Sequence, residues 1–500
     1  MTLNSKHIVR GLALTATCTI LSAAPVSADT LREALESAYA TNPSLTGARA
    51  GQQVVDENVP LAKSNGRPGV SANATYTENL LNSASSQSTI ARQVNADTSL
   101  NVPLYNGGAI KNAIRAAQTR VEAGRANLRG AESSIFSAVV GAYMDVIRDE
   151  ALVSLNRAQV GTLQVNLQAT RDRFEIGDLT RTDVAQSEAR LAAAASNMET
   201  ARAQLIRSKE VYIQLVGRAP GELESPPPLP NLPETPDMAV TIALDNNPDL
   251  LSAKQQRDAA LLDRKGANGS RLPTISGFSQ VAYNNFLGSL QIRGSNFVPT
   301  QTSTSAQVGV RVAIPLYQGG QPAAQIRQAQ ARLSQAQESE IAAEREVIAQ
   351  TRAAYASWLA SKEVISSAER GVSANELSLE GVRAENTVGN RTILDILNAE
   401  QELLNSKVQL VTARRNAYVA GFTLLATMGR AEARDLGLDG GPLYDPSEYY
   451  DRVDNAWSDW STNADPTAKA TRTIDTAAQT AEIEPLVDFS SGKGVSKRGN

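Results

Sequence analysis

A chain of 500 residues with 48 basic and 52 acidic side chains has no cationic excess, which argues against a nucleic-acid binder, and its 4% aromatic content is too low to anchor a large globular core. Its one cysteine, Cys18, and its one histidine, His7, both lie near the N-terminus. The remainder therefore holds no Ser-His or Cys-His nucleophile pair, no disulfide and no thiolate or imidazole metal site.

Carboxylate, lysine or tyrosine chemistry stays open on these grounds. There is, however, no P-loop, no G-x-G-x-x-G opening a helix after a strand and no G-x-S-x-G. The expectation is a non-enzyme with no cofactor and no bound metal.

Lys6 and Arg10 precede an apolar stretch from Gly11 to Leu21 and the small-residue site Val26-Ser27-Ala28. This pattern predicts a secretory signal peptide over residues 1–28, cleaved before Asp29. The apolar run is well short of the roughly 20 residues of a spanning helix. Thr15-Ala16-Thr17 also lacks the leucine expected three residues before a lipid-modified cysteine. Removing Lys6 and Arg10 leaves 46 basic against 52 acidic residues, a net charge of about −6.

From residue 29 the chain is written twice. Asn42-Pro43-Ser44-Leu45 returns as Asn247-Pro248-Asp249-Leu250. Val102-Pro103-Leu104-Tyr105-Asn106-Gly107-Gly108 returns 212 residues later as Ile314-Pro315-Leu316-Tyr317-Gln318-Gly319-Gly320. Gly177, Thr180 and Asp183 return as Gly389, Thr392 and Asp395 at the same offset, and Gly217 as Gly429. The first unit is read as 29–217 and the second as 237–430. Between them, at 218–236, lies a proline-rich connector that cannot continue a helix. Residues 431–500 form a C-terminal extension whose aromatic part, Tyr444 to Trp460, is expected to pack on the body; the last 40 or so residues read as disordered.

Each unit contains two stretches of period two, at about 68–78 and 95–104 in the first and about 274–283 and 303–314 in the second. Val70, Ala72, Ala74 and Tyr76 alternate with polar residues, as do Val308, Val310 and Val312, whereas Phe278 falls on the wrong face. Alternation alone also fits a soluble sheet with one wet face. Strand lengths near 9 to 11 residues, and Tyr76, Tyr105, Tyr283 and Tyr317 near strand ends, favour a membrane barrel. Four strands are too few to close one, since about eight or more are needed to leave no unpaired edge in lipid. Two chains would give eight and three would give twelve, and only the larger leaves room for a water-filled lumen.

The turns Pro103, Gly107 and Gly108, and Pro315, Gly319 and Gly320, lead from strand to helix. After Gly108 an apolar 4,3 rhythm through Ile110, Ile114, Ala117 and Val121 predicts a long helix over about 107–173, repeated at about 320–383. Each is about 100 Å long at 1.5 Å per residue. Return helices at about 182–216 and 392–429 are shorter. A return helix laid end to end with the short helix at Ser44–Lys63 or Asp249–Gly266 nearly matches a long one, so the second arm of each hairpin is read as two stacked pieces.

The turn between long and return helices carries G-x-x-T-x-x-D in both units. Glycine ends one helix, threonine caps the next and aspartate completes a capping box. A ring of such carboxylates repeated around an axis would also attract cations at a narrow mouth, and Arg181 and Arg391 are candidates to pair with Asp183 or a neighbour and hold it shut.

On the paired V-P-L-Y-x-G-G turns and V/I-G-x-x-T-x-x-D tips, the chain resembles the TolC-like outer-membrane efflux proteins, or outer membrane factors, over about residues 29–430. The resemblance implies a mainly α fold with a transmembrane β part. It also implies a homotrimer whose twelve-stranded barrel sits in outer-membrane lipid and whose helical tunnel crosses the periplasm. The implied partners are a periplasmic adaptor (membrane fusion protein) and an inner-membrane RND or ABC transporter, serving efflux or type I secretion. It assigns Asp395, Arg391, Thr182 and Asp183 to a periplasmic gate, with Asn398 standing where a second aspartate is usual. Gly177, Leu179, Thr180, Gly389 and Thr392 become adaptor-docking tips. The competing reading is a periplasmic coiled-coil scaffold without a pore.

Overall fold

The computed structural model describes residues 29–81, 88–294, 297–438 and 443–482. The segment read as a signal peptide and the end of the C-terminal extension lie outside the described residues. In chain order the first half gives α1 (Leu31–Thr41), α2 (Pro43–Asp56), α3 (Asn58–Ser64), β1 (Gly69–Glu78), β2 (Ser88–Thr89), β3 (Arg92–Asn106), α4 (Ala109–Glu175) and α5 (Arg181–Val216). The second half gives α6 (Pro236–Asn246), α7 (Pro248–Ala267), β4 (Thr274–Asn285), β5 (Gln291–Ile292), β6 (Thr302–Ala313), α8 (Gln321–Thr387), α9 (Ile393–Thr427) and α10 (Pro446–Val453).

The two long helices, α4 and α8, have 67 residues each and run about 100 Å. Each needs a partner along its whole length, because its seam of alanines and valines must be covered. For α4 that partner is α5 along one half and α2 and α3 along the other, with α7 lying between α4 and α8.

The joint between stacked pieces is made by one side chain in each unit. Asn42 Oδ1 accepts from the N–H groups of Ser44 and Leu45 and so caps α2, while its Nδ2 donates to the Leu215 carbonyl at the end of α5, 2.9 Å away. Asn247 repeats this, capping α7 through Asp249 and Leu250 and donating to Thr427 O at 2.9 Å. Pro43 and Pro248 occupy the first helical position, where a missing N–H costs nothing. Gly429, with φ +70°, lies so close that a Cβ there would collide with the Asn246 carbonyl.

The main core gathers at the level of these joints. Leu35 of α1, Phe136 and Tyr143 of α4, Tyr212 of α5, and Phe422 of α9 are almost wholly buried there, together with Met428. The proline-rich connector is laid across α8 and α9, its Pro227 and Glu234 carbonyls accepting from the hydroxyls of Tyr418 and Tyr355.

The four long strands form one antiparallel sheet in the order β1-β3-β4-β6. Its register places Val70, Leu100, Ser279 and Val308 in one row, and Ala72, Thr98, Val281 and Ala306 in the next. One face is therefore mostly apolar across both units, with Ser279 and Thr98 among its aliphatic side chains. The other carries Ser71 bonded to Ser99 at 2.8 Å and Gln307 bonded to Gln280 at 2.8 Å. Phe278 sits on this polar face opposite Gly309, where a side chain would meet its ring, and the Arg311 guanidinium lies 5.2 Å from the ring centroid. Among the described residues, β1 and β6 are edges with no strand beyond them.

The strand-to-helix turns are not equivalent. Gly107, with φ +65°, packs so that a Cβ would stand 2.7 Å from the Gly269 carbonyl and 2.9 Å from Leu272 Cβ, whereas Gly319, with φ +59°, faces open space. Pro103 marks a break in the β3–β4 register before Tyr105.

If the asparagine joint holds the stacked arm together, Asn247→Ala should destabilise the helical body by about 2–4 kcal/mol. That adds a lost cap of about 1 kcal/mol to a buried carbonyl left unpaired at about 1–3 kcal/mol. Asn247→Ser, which keeps a capping oxygen, should fall between. Guanidinium unfolding followed by helical circular dichroism at fixed detergent checks the order.

Candidate functional site at the helical tips

At the far end of α4 the chain turns through Ile176 and Gly177. Gly177 adopts φ +83°, its N–H donates to Phe174 O at 2.9 Å, and Asp178 N donates to Arg173 O at 2.9 Å. This is the left-handed helix ending that glycine permits without strain. Thr180 then caps α5. Its hydroxyl oxygen accepts from Asp183 N, while Asp183 Oδ2 accepts from Thr180 N and Oγ1 at 2.9 and 2.7 Å.

The second tip repeats the geometry with Gly389 at φ +83° and Thr392, whose N–H and hydroxyl donate to Asp395 Oδ2 at 2.9 and 2.8 Å. Leu179 is half-buried and Thr182 exposed, while Ile176 and Val388 stand 81% and 70% exposed beside the two glycines. The tips therefore present apolar side chains to the outside on rigid turns.

Both aspartates titrate below the usual carboxylate value. The Thr180 hydroxyl and then its N–H lower Asp183; the Thr392 N–H, then its hydroxyl, then the Arg391 charge lower Asp395. A depressed folded value means that the cap is fully formed above the reference value of 3.8 and is lost only as pH falls through the still lower folded value. Both tips thus stay anionic through the mildly acid range.

Of the two partners expected for the arginines, Asp183 or a neighbour, Arg391 takes a neighbour. Arg391 closes its own turn on Glu385 at 2.7 Å, with Asn386 Nδ2 donating to the Arg391 carbonyl at 2.7 Å. Asp183 is occupied by Thr180. No ion pair joins Arg391 or Arg181 to Asp183 among the described residues. For Arg391 the physical reason is reach: Glu385, on the same turn, is close enough to take its guanidinium.

The two hairpins are joined further in, by Asn398 and by residues that sequence reasoning passed over. Arg190 of α5 donates to Asn398 Oδ1 at 2.8 Å, so Asn398 anchors the other unit's return helix. Glu400, 3% exposed, takes Asn166 Nδ2 of α4 on both oxygens at 3.0 Å and Arg383 of α8 at 2.9 Å. Leu163, Ala194 and Leu397 close over this contact as a small apolar cluster. The signal was present in the sequence: Glu400 interrupts the buried stripe Leu397, Glu400, Leu404 of α9, where a seam position should be apolar. The described residues include no group of three or more side chains able to hold a metal ion.

Replacing Asn166 by Leu leaves the buried Glu400 carboxylate dependent on the half-exposed Arg383. A loss of about 1–3 kcal/mol is expected, the cost of one unsatisfied buried polar group. The double change Asn166→Leu with Glu400→Leu should recover most of it. Paired unfolding curves for the two variants provide the check.

Comparison with known proteins agrees with this architecture. A family model described as outer membrane efflux protein matches residues 34–218 and 239–430, and the gap between the two stretches falls on the proline-rich connector. The outer membrane efflux protein BepC of Brucella suis is 33% identical over 439 residues, covering 88% of this chain and 93% of BepC. The outer membrane protein TolC of Escherichia coli is 29% identical over 306 residues, 59% of this chain and 61% of TolC. Among solved structures, the outer membrane protein VceC of Vibrio cholerae matches with a TM-score of 0.68 over 80% of this chain and 96% of that one, at 21% identity, which is a likeness of fold. With both matched stretches spanning the strand and hairpin units described above, the chain belongs to the outer membrane efflux protein family and is an outer-membrane channel protein whose helices extend into the periplasm.

Proposed function

We propose that three copies of this chain form one exit duct, performing no catalysis, that receives cargo from an inner-membrane RND or ABC pump through a periplasmic adaptor. The observation that carries this reading is the sheet: four strands with one mostly apolar face and two edges unpaired among the described residues. Lipid cannot satisfy the N–H and C=O groups of such edges, so β1 of one copy pairs with β6 of the next until the ring closes. Three copies give twelve strands and six helical hairpins, and the polar face, with its Ser, Asn and Gln side chains, lines the lumen.

The adaptor meets the tips at Gly177, Leu179, Thr180, Gly389 and Thr392, where the exposed Ile176 and Val388 offer apolar contact on turns that need no reordering to bind. Symmetry repeats Asp395 three times around the mouth. Thr182, Asp183 and Arg391 lie on the turns that must part when it opens, and Asn398 contributes no second ring of charge. Arg391 acts by stiffening its own turn through Glu385.

Purified protein is expected to run as a detergent-stable trimer and to conduct in planar bilayers with a preference for cations; monomers without conductance would sink the duct. Asp395→Ala should weaken block by multivalent cations added from the tip side. Because Asp395 titrates below the reference value of 3.8, that block should persist in the wild type as the pH is lowered toward 3.8. Arg391→Ser, by loosening the turn, should raise single-channel conductance, and a wild-type value would remove Arg391 from the gate.

A further inference from the structure

The C-terminal extension climbs the first unit and returns. Going up, Tyr444 N donates to Tyr39 Oη at 2.9 Å, Tyr449 Oη to Glu57 at 2.6 Å, and Lys63 Nζ to Asp454 at 2.7 Å. Next, Arg67 bonds to the Ala456 carbonyl and places its guanidinium 4.6 Å from the centroid of the Trp457 ring. The partners 39, 57, 63 and 67 follow one another toward the barrel. Beyond Trp460 the chain descends. Asn463 Nδ2 donates to Tyr449 Oη at 2.9 Å, and a Cβ on Gly217 would stand 2.9 Å from Thr471 Oγ1. Gln479 N then donates to Glu210 at 3.4 Å. The stretch 461–482, expected to be disordered, thus runs back along the body without helix or strand, and the apex of the hairpin is 457–460.

That apex has a definite height. Gly69 of β1 pairs with Asn101 of β3, so Arg67, two residues earlier, stands level with the strand end that carries Leu104 and Tyr105. Leu104 and Tyr105 are 60% and 46% exposed and mark the periplasmic rim of the apolar band. Trp457, with Arg67 against one face of its ring, and Trp460 are 68% and 94% exposed, two large indoles left mostly open by the described residues. Tryptophan is the side chain most suited to the headgroup layer, where its ring meets acyl chains and its N–H meets water and phosphate.

We propose that this apex seats Trp457 and Trp460 in the headgroup layer of the periplasmic leaflet of the outer membrane, so that the extension ties the barrel–tunnel junction to lipid. The proposal rests on the barrel being inserted in the bilayer. Lys63 neutralises Asp454, and the cation at the apex, Arg67, is offset by Asp459 beside Trp460, so the attachment is through the indoles and not through net charge. It should survive high salt.

The chain has three tryptophans. The third, Trp358, packs near Gly421 in α8, about 55 Å along the helix from its barrel end. Trp358→Phe therefore reports from the apex alone, and Trp457→Phe with Trp460→Phe reports from Trp358 alone. Each full-length variant is reconstituted in phosphatidylethanolamine and phosphatidylglycerol vesicles with acyl chains brominated near the headgroup, and recovered by flotation. Emission of Trp358→Phe should fall by roughly half or more against unbrominated vesicles, as for interfacial indoles. The double variant should be nearly unaffected, and wild type should lie between. Floated Trp358→Phe protein with unquenched emission overturns the proposal: solvent-like emission would leave the apex in water, and blue-shifted emission would bury it against a neighbouring subunit's exposed Leu316 and Tyr317. Failure to float would overturn barrel insertion and the anchor with it.

Discussion

The carboxamides of Asn42 and Asn247 set the proportions of the whole molecule. A helix of 67 residues must be covered along its full length, yet the return helices have only 36 and 35 residues. The missing length is supplied by a second helix stacked end to end. Stacking brings a helix C-terminus, with unpaired carbonyls, against a helix N-terminus, with unpaired N–H groups. One asparagine side chain satisfies both, accepting through Oδ1 and donating through Nδ2. Aspartate would lack the donor and alanine would lack both. The main core forms around these joints, where three helices of the first unit and four of the second converge.

The two units share this scaffold and diverge in chemistry. At the barrel end, Gly107 is locked against Gly269, while its counterpart Gly319 is open on every side. Around the first unit the C-terminal extension lies along α2 and α3, and the corresponding helix of the second unit, α7, is covered by α4 and α8 instead. At the tips the capping boxes are the same, but Glu400 and Asn398 of the second unit reach across to Asn166 and Arg190 of the first. The buried carboxylate has partners on two other helices, so moving either hairpin would break a bond to a charge held out of water, a cost far above that of the exposed Arg391–Glu385 pair.

The sheet joins the units in a second way. β3 of the first pairs directly with β4 of the second, so the apolar band crosses the boundary between copies without a change of face. Phe278 is the exception, and it is accommodated because Gly309 opposite it has no side chain and Arg311 covers its ring.

Length, period and punctuation were enough to write down the repeats, the long helices, the four strands and the tip capping boxes, because each depends on residues close together in the chain: an αL glycine, a Thr-x-x-Asp box, an alternation of Val and Ser. The same reading could place Arg391 only near a carboxylate, and local reach decided for Glu385. Tertiary structure alone decided what lies across the fold: that Asn42 and Asn247 bond to helices 173 and 180 residues away, that Glu400 is buried between three helices, and that Trp457 reaches the barrel rim through Arg67. These contacts are set by which faces meet after long helices pack, and a period of 3.6 or 2 fixes a face without naming what it meets.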